Sequence, residues 1–132
     1  MEKETERTEL VMIDSSIFVD HLRNYAPAVN FFSSLDYSKG LFSAITETEL
    51  MVGKSCNDNS VRIAILNMLN NFKKIDVNNR IALLAGDLSR IHEIDLPDSI
   101  IAATALVNKA FLLTRNIKDF SKIKGLKTKS PY

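Results

Sequence analysis

An α/β fold, a parallel sheet covered by helices on both faces, is predicted by three features of the sequence. Short apolar runs alternate with longer segments of helical spacing, and strands separated by helices pair in parallel through right-handed crossovers. Runs such as Val11-Met12-Ile13 lack polar alternation, as strands buried on both faces do. No repeat, low-complexity tract or Gly/Pro/Ser-rich linker interrupts the 132 residues, a length that suits one domain.

In chain order, strands are expected over Leu10–Ile13, Leu41–Ile45, Phe72–Val77 and Phe111–Thr114, each a short apolar run. A short fifth strand is expected around Leu126. Helices are expected over Ile17–Leu22, Val29–Leu35, Val61–Leu69, Ile81–Ile91 and Ile100–Val107. In the third of these, Val61, Ala64, Ile65, Met68 and Leu69 fall on one face. Residues 10–132 read as the domain, and Met1–Glu9, which mixes acids and bases without an apolar core, reads as a polar leader and neither signal peptide nor membrane anchor.

Composition narrows the setting. With 45% hydrophobic residues the chain can build a core without disulfides. One cysteine, Cys56, leaves no intrachain pair and favours a reducing cytoplasm. No apolar stretch approaches the roughly 20 residues of a membrane span, so a soluble, cytoplasmic protein is expected. The formal net charge of +1 hides an asymmetry: residues 1–108 carry 10 Lys or Arg against 15 Asp or Glu, whereas residues 109–132 carry seven basic residues against Asp119 alone. Such a basic segment can meet phosphate, although for charge asymmetry alone a solvated surface is the better explanation.

The acids are most informative when set against the expected sheet. Loops leaving the carboxyl ends of parallel strands converge on one edge, where ligands bind. Asp14 follows strand 1, Glu49 falls in the first turn of the helix after strand 2, Asp98 opens the helix that feeds strand 4, and Asp119 follows strand 4 by a few residues. Each can be a helix cap taken singly: Thr46-Glu47-Thr48-Glu49 fits a capping box, and acids favour first turns. Capping does not explain why four should gather at one edge. Clustered carboxylates repel unless cations neutralise them, and hard oxygen ligands suit Mg²⁺, with Mn²⁺ able to substitute. Zinc is disfavoured, because His21 and His92 are isolated from other soft ligands. Four glycines supply neither a phosphate-binding loop nor a dinucleotide fingerprint.

Four segments, Val11-Met12-Ile13-Asp14-Ser15-Ser16, Ser43-Ala44-Ile45-Thr46-Glu47-Thr48-Glu49-Leu50, Asp98-Ser99-Ile100-Ile101-Ala102-Ala103-Thr104-Ala105 and Leu113-Thr114-Arg115-Asn116-Ile117-Lys118-Asp119-Phe120, occur in this order and continue into Ile123-Lys124-Gly125-Leu126. In these the chain resembles the PIN-domain ribonucleases, specifically the toxins of VapBC-type toxin-antitoxin pairs. The resemblance implies a PIN-like three-layer sandwich with strand order 3-2-1-4-5, a homodimer, and an antitoxin that inserts into the active cleft. It implies that Asp14, Glu49 and Asp98 bind metal directly or through water, and that Asp119 is a fourth, more loosely engaged acid. Ser15 and Asn116 would support these acids, and Arg115 and Lys118 would hold RNA. Ser99 departs from the usual apolar or small residue, and the region from Ser55 to Arg90 varies too much within the family to indicate a target. The expected activity is hydrolysis of an RNA phosphodiester by a toxin; the rivals are a PIN-like module that only binds, and a receiver-type phosphoacceptor, which would need a second acid beside Asp14.

Overall fold

The computed structural model describes residues 9–132; apart from Glu9, the leader expected over Met1–Glu9 lies outside the described residues. Five strands form one sheet in the order β3-β2-β1-β4-β5: β1 (Val11–Ile13), β2 (Gly40–Ser43), β3 (Lys73–Ile75), β4 (Phe111–Leu113) and β5 (Thr128–Lys129). Every pairing is parallel. The helices are α1 (Ser15–Leu22), α2 (Ala26–Ser34), α3 (Ala44–Met51), α4 (Asn59–Leu69), α5 (Asn79–His92), α6 (Leu96–Val107) and α7 (Ile117–Phe120). Two single 3₁₀ turns, Tyr37–Lys39 and Lys54–Asn57, precede β2 and α4. None of the described helices is long and apolar enough to cross a membrane.

Successive strand residues point to opposite faces, and the sheet divides two cores accordingly. Met12, Leu41 and Leu112 pack against α5 and α6 through Ile81, Ala85, Leu88, Ile101 and Ala105. Ile13, Phe42 and Leu113 pack on the other side against α1 to α4 through Ile17, Phe18, Phe32, Leu50 and Ile65. This two-sided burial is why β1 contains no polar residue.

The expected boundaries shift in informative places. Strand 2 stops at Ser43 and does not reach Ile45, because the Ser43 hydroxyl accepts the Ile45 N–H at 3.2 Å and caps α3. The capping box over Thr46–Glu49 therefore does not form; Glu47 is the first-turn acid and Glu49 stands in the second turn. Strand 3 is also shorter than Phe72–Val77. Its Lys73 and Lys74 are exposed on an edge strand, where lysines discourage further pairing. The fifth strand lies two residues beyond Leu126.

Phe72, just before β3, fills the space beside Gly40. It packs on Tyr37, Phe18 and Phe32 at centroid distances of 4.9, 5.7 and 6.0 Å. A Cβ at Gly40 would overlap the Phe72 ring, so this glycine serves close approach and not a special φ. Gly40→Ala should cost roughly 1–3 kcal/mol, as overpacking does, measured by urea denaturation; a cost near zero would show that the aromatic cluster yields freely.

Candidate metal centre

Asp14 stands where β1 leaves the sheet, and only 6% of it is exposed. Its Oδ1 accepts the Ser15 N–H at 2.9 Å, and its Oδ2 accepts the hydroxyls of Ser16 at 3.0 Å and Thr114 at 2.8 Å. The Asp14 N–H donates to the Leu113 carbonyl at 3.0 Å. The carboxyl ends of β1 and β4 are thus joined through both backbone and side chain. Thr114 Oγ1 also accepts the Asn116 N–H at 3.0 Å, shaping the turn into α7, and Asn116 Nδ2 donates to Asp119 Oδ2 at 2.8 Å.

The second acid, Glu49, is half-buried on α3. Its Oε1 is buried without a hydrogen-bond partner among the described residues. Burial pushes its carboxyl above the usual range, as does the charge of Asp14; the Ser15 hydroxyl opposes the shift and Asp98 adds to it. Asp98 lies in the first turn of α6, and its carboxyl is pushed up to about 6, chiefly by burial and then by Asp14, Asp95 and Asp119. The turn before α6 is held by buried Ser99, whose hydroxyl donates to the Asp95 carbonyl at 2.9 Å. The departure at Ser99 thus fixes the turn next to Asp98.

Asp14, Glu49, Asp98 and Asp119 therefore share the carboxyl edge closely enough for the charges of the others to act on Glu49 and Asp98. Ser15 bonds Asp14 and faces Glu49; Asn116 orients exposed Asp119; Lys118 is exposed on α7. Arg115, expected to meet RNA, is held by Asp20, its Nε lying 2.9 Å from Asp20 Oδ2. Thr114, Ser16 and Asp95 were not singled out by the sequence. Thr114 and Ser16 lie inside the quoted segments, but the bond from Thr114 to Asp14 spans 100 positions and leaves no local pattern. Asp95 makes no side-chain cap and instead adds its charge to Asp98.

Among the described residues no three acidic, His or Cys side chains are close enough together to hold an ion as they stand. The donor chemistry nevertheless fits a hard divalent cation, since the repulsion that neighbouring acids exert on Glu49 and Asp98 is relieved when a cation neutralises them. The buried, unpartnered Glu49 Oε1 is a polar atom that such an ion would satisfy.

A PIN domain matches residues 11–126. Similar solved structures include a toxin-antitoxin complex from Klebsiella pneumoniae, at 31% identity over 92% of this chain and 98% of that one, with a TM-score of 0.75. VapBC2 from Rickettsia felis bound to a promoter DNA fragment matches at 24% identity, 91% and 97% coverage and TM-score 0.79. DNA-bound VapBC from Salmonella typhimurium matches at 20% identity, 95% and 100% coverage and TM-score 0.82. Comparison with curated proteins returns no match. The chain belongs to the PIN-domain family.

A pH prediction follows from Asp98. Its carboxyl rises from 3.8 to about 6 on folding, so the folded state prefers the protonated acid and ionisation costs stability. Metal-free protein should lose stability as pH rises from about 4 through about 6. Asp98→Asn should flatten this part of the profile and raise the melting temperature near neutral pH in EDTA. A variant that melts below wild type there would contradict the repulsive cluster.

Proposed function

We propose that the chain is a metal-dependent ribonuclease and the toxin of a toxin-antitoxin pair, with Asp14, Glu49, Asp98 and Asp119 as its acidic site and Mg²⁺, or Mn²⁺ in its place, as cofactor. The observation that carries the proposal is the Glu49 oxygen buried at the acidic edge without a hydrogen-bond partner among the described residues, and the upward shifts of Glu49 and Asp98, to both of which Asp14 contributes, agree with it. Asp14, Glu49, Asp98 and Asp119 make no salt bridge among the described residues, and an edge of this kind is suited to external cations.

When bound, a divalent ion at these carboxylates supplies Lewis acidity that activates water and polarises a phosphodiester. The protein's part is placement. Asp14 is fixed in direction by Ser16 and Thr114. Glu49 and Asp98 offer carboxylates from α3 and α6, while Asp119, exposed and steered by Asn116, closes the edge from α7. Arg115 and Lys118 contribute positive charge beside an acidic edge that would otherwise repel RNA.

The similar structure from Klebsiella pneumoniae is named as a toxin-antitoxin complex, which supports an antitoxin partner for this chain too. A homodimer and a cytoplasmic location belong to the same proposal. The rival is a PIN-like module that keeps its acids as helix caps and only binds protein or RNA.

The deciding experiment is end-mapped cleavage of total bacterial RNA by purified chain stripped of any partner, with Mg²⁺ or Mn²⁺. Discrete cuts should vanish with EDTA. Asp14→Asn, Glu49→Gln and Asp98→Asn should each lower cleavage by at least ~100-fold, and Thr114→Val by roughly 10–100-fold through loss of Asp14 orientation. Full activity in all three carboxamide variants would end the metal-site proposal, and absence of both cutting and calorimetric Mg²⁺ binding in wild type would favour the binding module. Overproduction without a partner should arrest growth; unimpaired growth with the protein present would contradict the toxin role.

A further inference from the structure

Asp20, near the end of α1, is an acid that the proposed metal site does not use. It is 6% exposed, and a carboxylate so buried needs partners. Its Oδ2 accepts the Tyr132 hydroxyl at 2.6 Å and forms an ion pair with the Arg115 guanidinium, Nε lying 2.9 Å away. The Tyr132 ring packs edge-on against Tyr25 at 5.8 Å and Phe31 at 6.5 Å. Its hydroxyl is pushed well above the usual tyrosine range by burial first and then by Asp20, so it remains a donor.

Arg115 itself is rooted at the acidic edge. It directly follows Thr114, and its backbone N–H donates to Ser16 Oγ at 3.5 Å, the same hydroxyl that donates to Asp14. Its side chain is 54% exposed, although Nε is engaged. Pairing through Nε leaves the two terminal amino groups, and no described residue accepts a hydrogen bond from them. A guanidinium fork of this kind matches two phosphate oxygens at once.

Resting on the ribonuclease reading, we infer that Asp20 and Tyr132 are positioning residues that hold the Arg115 guanidinium beside the acidic edge to receive an RNA phosphate. Asp20 anchors the guanidinium through this ion pair, and the Tyr132 hydroxyl bonds Asp20. The clamp saves the ordering cost that a free arginine would incur on binding.

The test is a double-mutant cycle. Binding of a labelled, mixed-sequence single-stranded oligoribonucleotide is measured with Mg²⁺ in an Asp98→Asn background, so that the probe is not cut. Arg115→Gln should weaken binding about tenfold and reduce the salt slope by ~0.7, the value of one single-strand phosphate contact. Asp20→Asn should weaken binding severalfold although it removes no positive charge, and should add nothing once Arg115 is Gln. Tyr132→Phe, which keeps the ring packing, should act in the same direction, again only when Arg115 is present. Melting temperatures show that each variant is folded.

Equal cost of Asp20→Asn with and without Arg115 would overturn the clamp, as would an unchanged salt slope in Arg115→Gln or no binding at all. Cleavage by the chain with Asp98 restored is scored separately. Cutting without coupling between residues 20 and 115 sinks the clamp and leaves the ribonuclease standing; coupling without cutting does the reverse.

Discussion

A buried carboxylate at the mouth of the central strand constrains everything around it. Asp14 is nearly out of water, where an unsatisfied anion costs several kcal/mol, so donors must reach it from within the fold. Ser15 and Ser16 come from the helix that Asp14 itself caps, and Thr114 comes from the end of the neighbouring strand. The third donor is available only if β4 lies directly beside β1 with Leu113 opposite Ile13. The same register brings the β4–α7 turn, with Asp119, to the edge where α3 and α6 deliver Glu49 and Asp98. Strand order, register and the acidic edge are in this sense one arrangement.

Charges elsewhere are treated differently. Glu47 pairs with Lys74 at 2.8 Å, Asp87 with Arg90 at 3.0 Å, and buried Asp20 with Arg115 at 2.9 Å. At the carboxyl edge the nearest charged neighbours of Glu49 and Asp98 are other acids, which raise their pKa. The fold can neutralise its carboxylates, and where it leaves them facing one another stability has been given up at one place. Departures of this kind mark functional sites more often than scaffolding.

What the sequence revealed follows from how local each cause is. Met12 and Ile13 announce β1 because a strand buried on both faces must be apolar throughout, and Val61, Ala64, Ile65, Met68 and Leu69 announce α4 because one face must be. β3 was overextended because its lysines obey an edge constraint and not the hydrophobic pattern. Ser43 was hidden as a helix cap inside an apolar run, which displaced the expected capping box and put Glu49 a turn too early. The four acids could be set against one edge because each follows or precedes an element whose direction is fixed by parallel pairing. Thr114, Asp20 and Tyr132 were not, because their bonds join residues 100 and more positions apart.

The basic segment from 109 onward can be weighed anew against the sheet. Its charge is not one patch. Lys127 lies over the Phe111 ring at 5.4 Å, and Phe111 begins β4, so that lysine sits at the end of the strand away from the acids. Arg115 and Lys118 follow the other end. The sum of charges read from the sequence therefore overstates what any single phosphate track could meet, while Arg115, tied by its backbone to Ser16 and by Nε to a buried acid, is given a defined position beside Asp14. A long-range field draws polyanions toward a surface without choosing their register. A guanidinium anchored to a buried acid can choose it, and that acid, Asp20, belongs to the same helix that Asp14 caps.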